Sequence, residues 1–390
     1  MRILLVIPYF YPAESFGGSV KVAFNVGREL VKRGHEVVVY TSDANNRENR
    51  LNVKNAEVEG MEVYYFRNIS MWFVKESNLF ITPELSKKMK SDLKSFDVVH
   101  AHEYTTYQNI IVHRFARKHA VPYVLQVHGS LPKIGRKGRK WLFDVLFGRR
   151  LLRDTSKLIA LSEVEAEQYR RVGVPEEKIA IIPNGIDLSE YANLPPKGSF
   201  KKKFNIPENN RIILYLGRIH KTKRIDLLVK AYAHLAKSMK YDDALLVIAG
   251  PDDGYLAEIK SLSAHLNVSD SVLFTGFISS SDKLKALVDA DVFVTPSFYG
   301  FPVTFLEAGV TGTPIVTTSL GDTLDWIEGR AGYVTSPTCH ELAKAMHAII
   351  SNDDLRQEFS RNSRRITQSE FSLAKVVDRL EQVYREVAGK

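Results

Sequence analysis

Two basic side chains stand in the loop after one of the predicted strands in the second half of the chain. The strand is the apolar run 211–217, and Arg218 and Lys223 follow it, five residues apart. In open parallel sheets, ligands bind beyond the carboxyl ends of the strands. A planar guanidinium and a mobile ammonium can grip adjacent phosphoryl oxygens, so the loop suits a diphosphate. A solvated basic loop without a ligand would carry the same residues, and this alternative stays open.

A carboxylate, Glu307, falls in the first turns of a predicted helix that is entered through residues 300–304. The free amides at the start of a helix can bind a phosphate. A carboxylate close by can accept hydrogen bonds from both vicinal hydroxyls of a ribose. The alternative is an ordinary acid that stabilises the helix dipole.

Two further positions in the first half lie at strand ends of the same kind. His128 and Gly129 terminate the predicted strand 123–127, where an imidazole could hydrogen-bond a sugar hydroxyl; a structural histidine would also fit. Gly17 and Gly18 follow the first strand and would let the backbone approach a ligand closely, although a glycine pair also makes a tight turn.

Short apolar strands alternate with helical periodicity along both halves of the chain. The predicted strands are 2–8, 36–41, 97–100, 122–127, 156–161, 179–183, 211–217, 244–250, 272–276, 291–296 and 313–318. This alternation is typical of parallel α/β domains, and the polar stretch 189–210 is typical of a linker. We therefore predict two Rossmann-like domains, 1–190 and 205–371. An amphipathic helix within 372–390 is expected to pack back on the first.

The composition is that of a globular protein of 390 residues with a net charge of +9. The single cysteine, Cys339, excludes an intrachain disulfide and fits a reducing compartment. No apolar window is long enough to span a membrane, and we expect a cytoplasmic protein. The positive charge could attract nucleic acid, but no recognition helix or aromatic RNA-binding signature accompanies it, so nucleic acid is not expected as a partner.

Much of the positive charge is concentrated between Lys133 and Lys157, a segment that contains nine basic residues and two acidic ones. Large apolar residues are interleaved with the cations: Trp141, Leu142, Phe143, Val145, Leu146 and Phe147. An interfacial helix has this pattern, and the segment 133–157 could hold the protein peripherally on an anionic membrane, at its inner face. A core-facing helix with a solvated basic flank is the alternative.

The ordered set of motifs resembles the retaining glycosyltransferases of family 4, which have the GT-B fold. The strings that carry the resemblance run nearly end to end: Gly17-Gly18, 28–37, 99–102, His128-Gly129, 182–187, Gly217-Arg218 with Lys223, and 296–308 with 312–314. Each string alone is weak, whereas their order is specific. The resemblance implies two Rossmann-like domains that face each other across a cleft.

The resemblance also implies the reaction and its partners. A hexosyl-type sugar would pass, with retention, from a nucleotide-diphosphate donor to the hydroxyl of a sugar or lipid-linked acceptor, in glycan or glycolipid biosynthesis. The nucleotide sugar is a substrate, and no further cofactor and no metal ion are expected. Two alternatives stay open: a nucleotide-sugar epimerase on the same fold, and a non-catalytic sugar-nucleotide binder.

Roles for single residues follow from the resemblance alone. Arg218 and Lys223 would bind the donor diphosphate, Glu307 the ribose and His128 the transferred sugar; His128, Arg218 and Lys223 form the expected catalytic set. Gly17 and Gly18 would form the loop beneath the phosphates and the acceptor. The other expected donor-binding residues border the phosphate site: Phe301, Pro302 and Val303.

Two positions depart from the family pattern. Tyr299 stands eight residues before Glu307, where the family has a glutamate near the donor sugar, and this puts the identity of the donor in doubt. Arg224 stands where the family often has glycine.

Overall fold

The computed structural model divides into two compact units. It describes residues 1–131, 137–239, 243–298, 300–320 and 325–390. The first unit comprises Met1–Gly185 with Leu373–Lys390, and the second comprises Ile186–Ser372. Tyr299 and the basic residues Lys133 and Arg136 lie outside the described residues.

The strands follow one another as β1 (Arg2–Val6), β2 (Glu36–Ser42), β3 (Asn55–Val58), β4 (Met61–Phe66), β5 (Val98–His102), β6 (Tyr123–Gln126), β7 (Lys157–Ala160), β8 (Ile179–Ile181), β9 (Arg211–Leu216), β10 (Ala244–Ala249), β11 (Val272–Gly276), β12 (Val292–Thr295), β13 (Ile315–Thr318) and β14 (Gly332–Thr335).

The helices are α1 (Gly18–Lys32), α2 (Met71–Ser77), α3 (Pro83–Asp92), α4 (Tyr107–His119), α5 (Lys137–Phe143), α6 (Arg149–Asp154), α7 (Glu163–Arg171), α8 (Ser199–Lys203), α9 (Ile225–Ser238), α10 (Leu256–His265), α11 (Ser280–Asp289), α12 (Val303–Thr311), α13 (Cys339–Ser351), α14 (Asp353–Glu370) and α15 (Leu373–Ala388). A π-helical segment, Asp144–Gly148, joins α5 to α6.

The sheet of the first unit has, within the described ranges, the order β3-β4-β2-β1-β5-β6-β7-β8. Neighbouring strands are parallel, except for the antiparallel pair β3 and β4. The inner strands are near-continuous apolar runs because helices cover both faces of a parallel sheet. The order reverses between β1 and β5, and ligands bind at such a switch point in open α/β sheets.

The sheet of the second unit has the order β11-β10-β9-β12-β13-β14 in the part of the chain that the structure describes, and its strands are all parallel. This is the strand order of the Rossmann fold, with its switch point between β9 and β12. The loops that follow β9 and β12 carry Arg218 and the entry to α12. The predicted parallel α/β architecture is confirmed in both units.

Helix α15, the last of the chain, packs within the first unit. Its apolar stripe is buried along Val376, Val377, Leu380, Val383 and Tyr384, as the predicted amphipathic pattern requires. Arg33, at the end of α1, reaches Asp378 and Glu381 with N···O distances of 2.6 and 2.8 Å. Helix α15 therefore combines a buried apolar face with an ion-pair contact to α1.

The carboxyl ends of β9 and β10 are held together at two glycines. The amide of Gly217 donates to the carbonyl of Ala249 at 3.0 Å. Gly250 has φ of 150°, and a Cβ there would lie 1.9 Å from the carbonyl oxygen of Gly217. The turn that presents Arg218 therefore requires glycine at position 250.

We expect Gly250→Ala to lower the free energy of unfolding by about 3 kcal/mol or more, because the methyl group meets backbone that cannot move without breaking the β9–β10 pairing. Gly254→Ala is the matched control. Gly254 also has a positive φ, of 84°, but a Cβ at this position would have no atom within 4 Å. Backbone strain alone should cost about 1 kcal/mol there. Urea denaturation measures both variants, and equal losses would contradict the steric argument.

Candidate functional site

The loop after β9 places two cations at the switch point of the second unit. Arg218 is about half exposed, at 47%, and its Nη1 lies 2.5 Å from a carboxylate oxygen of Asp253. Lys223 closes a short 3-10 turn, Lys221–Lys223, whose first amides are capped by His220: the amide of Thr222 donates to Nδ1 at 3.2 Å. The cap and the following helix α9 together fix the position of Lys223.

Lys223 is held in an unfavourable electrostatic environment. Burial, followed by the positive charge of Arg218, lowers the pKa of Lys223 to about 8. Among the described residues, no carboxylate forms an ion pair with it. A partly buried ammonium beside a guanidinium gains from an anion that contacts both groups. The structure thus favours an anionic ligand here over a solvated basic loop.

Arg224 adopts a left-handed backbone conformation, with φ of 53°. This region favours glycine, because a Cβ atom crowds the following carbonyl. We therefore expect Arg224→Gly to be tolerated by the backbone. Arg224 itself forms an ion pair with Asp226 at 3.4 Å.

The other side of the switch point is the start of α12. Pro302 is the N-cap residue, and no side chain caps the first amides of the helix. Phe301 is buried against Phe371, with ring centroids 5.2 Å apart, and so anchors the loop by its side chain. Val303 is the first helical residue. Phe301, Pro302 and Val303 therefore position the helix start, whose first N–H groups have no acceptor within the helix and can bind an anion.

Glu307 lies in the second turn of α12 and is almost fully buried, with 2% of its side chain exposed. The ammonium of Lys283, from α11, donates to Oε1 at 2.6 Å. The hydroxyl of Tyr191 donates to the same oxygen at 3.3 Å. Sequence reasoning missed Lys283 and Tyr191, which are 24 and 116 positions away from Glu307. A paired, buried carboxylate of this kind is more than a dipole-favoured surface acid.

In the first unit, His128 lies two residues after the end of β6 and has a left-handed backbone, with φ of 54°. Its Nε2 is 2.9 Å from Nδ1 of His102, the last residue of β5. Burial lowers the pKa of His128 to about 3, so the imidazole is neutral at neutral pH. The amide of the next residue, Gly129, donates to the buried carboxylate of Glu165 at 2.7 Å. His128 is thus a neutral hydrogen-bonding group on a tightly held turn.

Gly17 and Gly18 form the start of α1. Gly17 is its N-cap, with φ of 120°, and a Cβ at this position would have no atom within 4 Å. Glycine is therefore required at position 17 by the backbone conformation and not by crowding. Both glycines are exposed, so the first amides of α1 are accessible.

Glu103 joins these two loops of the first unit, and sequence reasoning did not single it out. Its carboxylate accepts a hydrogen bond from the Tyr9 hydroxyl at 3.0 Å. Burial raises the pKa of Glu103, and the polar side chains of Ser19, beside Gly18, Tyr9, and Ser130, beside Gly129, oppose the shift. The available signal was its place directly after β5, at the switch point.

The described ranges contain no cluster of three or more His, Cys, Asp or Glu side chains suited to a metal ion. None of the helices within those ranges combines the length and the apolar character needed to cross a bilayer.

An exposed apolar ridge runs along α5 and the π-helical segment. It consists of Trp141, Leu142, Val145, Leu146 and Phe147, which are between 40% and 56% exposed. These five side chains face solvent, unlike those of a core-facing helix. Beside the ridge lies a groove of about 590 Å³ against α4, lined by Ile110, His113, Arg114, Arg117, Lys118, Leu146, Phe147 and Arg150. An apolar ridge rimmed by cations marks an interaction surface.

The two halves of the chain match different family models. The model described as Glycosyltransferase Family 4 matches residues 16–190, and the model described as Glycosyl transferases group 1 matches residues 196–366.

Relatives match over most of their length. An uncharacterized glycosyltransferase of Methanocaldococcus jannaschii is 27% identical over 401 residues, which cover 99% of this chain and 98% of that protein. The UDP-Gal:alpha-D-GlcNAc-diphosphoundecaprenol alpha-1,3-galactosyltransferase of Escherichia coli is 27% identical over 329 residues, 82% of this chain and 81% of that protein. The crystal structure of Anabaena Alr3699/HepE in complex with UDP has a TM-score of 0.80 at 18% identity and covers 99% of this chain and 100% of that one. This likeness confirms the predicted GT-B fold class.

We expect Lys283→Met to lower the free energy of unfolding by about 3–5 kcal/mol, because it leaves the buried Glu307 carboxylate without its counter-charge. Lys285→Met, on the same helix, is the control: Lys285 pairs with Asp282 at 3.3 Å, and Asp282 keeps a second cation, Lys203, at 2.5 Å, so the loss should be about 0–1 kcal/mol. The double variant Lys283→Met, Glu307→Gln should recover much of the loss. Denaturant unfolding measures all three; a loss no larger than that of Lys285→Met would exclude a stabilising role for the Lys283–Glu307 pair.

Proposed function

Because the chain belongs to the glycosyltransferases of family 4 and group 1, we propose that it moves a hexosyl-type sugar, with retention of the anomeric configuration, to an acceptor hydroxyl. Transfer of a sugar from a nucleotide-sugar donor, in glycan or glycolipid biosynthesis, is its activity. The stereochemistry, the type of sugar and the roles of single residues are the proposed parts.

The Lys223–Arg218 pair carries the assignment of the donor site. A pKa of about 8 for Lys223 reflects its burial and the neighbouring charge of Arg218, and among the described residues no carboxylate pairs with Lys223 itself. A donor diphosphate supplies the missing negative charge, and the amides at the start of α12 add further hydrogen bonds. Glu307, held in place by Lys283, would accept the ribose hydroxyls. We assign Arg218, Lys223, Glu307 and the 301–303 turn to the donor.

The leaving group is proposed to need no metal ion. The guanidinium, the ammonium and the helix amides can hold the charge that develops on the diphosphate, and fixed donors of this kind require no reorganisation during the reaction. The nucleotide sugar itself is then the only small molecule that the transfer needs besides the acceptor.

In the proposed step, the bond between the anomeric carbon and the diphosphate oxygen breaks with the electron pair remaining on the diphosphate. The acceptor oxygen bonds to the anomeric carbon on the same face, and the acceptor proton passes to the leaving diphosphate. His128 is neutral and hydrogen-bonds the transferred sugar, while Gly17 and Gly18 approach the phosphates and the acceptor through backbone amides. Both strained turns are suited to holding groups in one orientation.

Nucleotide release in the presence and absence of acceptors tests the function as a whole. A panel of nucleotide sugars, screened first by thermal stabilisation, identifies the donor. Acceptor-dependent release, with the anomeric configuration of the product read by NMR and with EDTA present, is the expected result. Donor binding without release would favour a non-catalytic binder, and conversion of the donor to an isomer would favour an epimerase.

We expect the affinity for a nucleoside diphosphate to fall as the pH rises above about 8, because the phosphates favour charged Lys223 and so raise its pKa on binding. Below pH 8 the free protein already carries this proton, and affinity should be flat. Lys223→Arg stays charged and should remove the decline, whereas Lys223→Ala should abolish turnover. Titration calorimetry between pH 7 and about 9.5 measures the effect. An identical decline in Lys223→Arg would rule out Lys223 as its source.

We further propose that the ridge and groove of the first unit rest on an anionic membrane, with the protein peripheral on the inner, cytoplasmic face and a sugar or lipid-linked acceptor. Apolar side chains at an interface and cations beside anionic headgroups act together, each cation contributing about 1 kcal/mol. A lipid-linked acceptor is also what the name of the Escherichia coli relative specifies for that protein.

We expect the protein to cosediment with vesicles of anionic phospholipid at low salt and to be released by high salt. Trp141→Ser and Arg150→Gln should each reduce the bound fraction, because they remove an inserted ring and a headgroup contact. Trp72→Ser is the matched control, since Trp72 is 63% exposed but lies on α2, away from the ridge. If wild-type protein fails to sediment, or if all three variants behave alike, this surface is not a membrane contact.

A further inference from the structure

Three histidines and a tyrosine form a continuous row of rings in the first unit, buried except for the half-buried His128. His100 and His102 lie two residues apart on β5 and so project from the same face of the sheet; their ring centroids are 4.2 Å apart. The ring of His128 lies edge to edge with that of His102, with the centroids 5.2 Å apart. At the other end, the Tyr384 hydroxyl on α15 lies 2.6 Å from Nδ1 of His100.

The hydrogen bond between His102 and His128 contains one proton. Burial, followed by the charges that His100 and His128 would carry, lowers the pKa of His102 well below its usual value, and burial lowers that of His128 to about 3. Both rings are therefore neutral at neutral pH. Of the two nitrogens that face each other at 2.9 Å, one must carry the hydrogen and the other must accept it.

The second nitrogen of His102 decides the direction. Its Nε2 is buried and has no hydrogen-bond partner among the residues that the structure describes. An orphaned N–H group in a protein interior is rarer than an under-satisfied acceptor. The proton of His102 therefore belongs on Nδ1, where it is donated to Nε2 of His128.

We infer that His102 is a positioning residue that fixes His128 as the Nδ1–H tautomer and fixes the orientation of its ring. This rests on the proposed contact of His128 with the transferred sugar. His128 then offers a hydrogen-bond donor, and not a lone pair, to a sugar oxygen. His102 is the only side-chain hydrogen-bond partner of the His128 ring within the described ranges.

The neighbouring rings explain why His102 and His128 have little freedom to move. His102 is 0% exposed and lies between the other two rings. His100 is in turn hydrogen-bonded to Tyr384, a residue of α15 that is 0% exposed. The backbone of His128 is confined to a left-handed turn, so the ring has little freedom to choose another partner. The last helix of the chain thereby supports the site through contacts 284 positions apart in sequence.

A matched pair of amide variants tests the inference. The nitrogen of an asparagine side chain can take the place of histidine Nδ1, whereas that of glutamine takes the place of Nε2. His102→Asn can therefore donate to His128 and should keep kcat/KM near the wild-type value. His102→Gln cannot donate from that position, and kcat/KM should fall about tenfold, the equivalent of one hydrogen bond. Equal activities of the two folded variants would overturn the positioning role.

The tautomer is read independently of activity. Long-range proton–nitrogen NMR of wild-type protein labelled with ¹⁵N-histidine distinguishes the protonated ring nitrogen from the lone-pair nitrogen, and His128→Asn identifies the signals of His128. We expect the hydrogen on Nδ1 at neutral pH; a hydrogen on Nε2 would overturn the inference, even if the His102 variants do not fold. Undiminished transfer by His128→Ala, which removes the donating ring nitrogen, would instead refute the proposed sugar contact and leave the tautomer measurement valid.

Discussion

Parallel pairing of the strands is the constraint on which both candidate sites depend. Parallel ladders bring the carboxyl ends of neighbouring strands to one edge, and the reversal of strand order separates two adjacent loops there. In the second unit these are the loop with Arg218 and the entry to α12. In the first unit the loops after β1 and β5 meet at Glu103, beside the turn that carries His128. Residues far apart in sequence are thus brought together by the pairing of the strands.

The buried charged groups at these edges differ in whether the protein supplies a partner of opposite charge. This difference indicates their roles. Glu307 is paired with Lys283, so its charge is compensated in the protein alone. Burial and then the charge of Arg218 lower the pKa of Lys223, which lacks such a partner among the described residues. Glu103 accepts a hydrogen bond from Tyr9 yet has a raised pKa, because burial outweighs its polar neighbours. A compensated carboxylate suits the recognition of neutral hydroxyls, whereas an uncompensated ammonium suits an anion.

The surface of the first unit combines two features that globular proteins normally keep apart. Large apolar side chains along Trp141–Phe147 remain exposed, and the neighbouring helix α4 presents Arg114, Arg117 and Lys118 to the same groove. Removing this apolar area from water would be favourable, and anionic headgroups would match the rim. A membrane contact would bring the enzyme to acceptors that are confined to the bilayer.

The sequence by itself determined the alternation of strands and helices, the strand ends that carry Arg218, His128 and the approach to Glu307, and the order of motifs that identifies the family. Strand periodicity and turn residues are local properties, so they can be read along the chain. The departure at Arg224 from the pattern of the family it resembles was visible too, but only the structure shows its left-handed φ of 53°.

Only the tertiary structure decided which of these groups are compensated and how they are oriented. Lys283 reaches Glu307 because α11 packs beside α12, and Tyr384 reaches His100 because α15 folds back on the first unit. The apolar residues of α5 and the π-helical segment have a periodicity that fits burial and exposure equally well; packing placed Phe143 against the core and left the five ridge residues exposed. Charge compensation, burial and tautomer depend on contacts between distant segments, and no local pattern encodes those contacts.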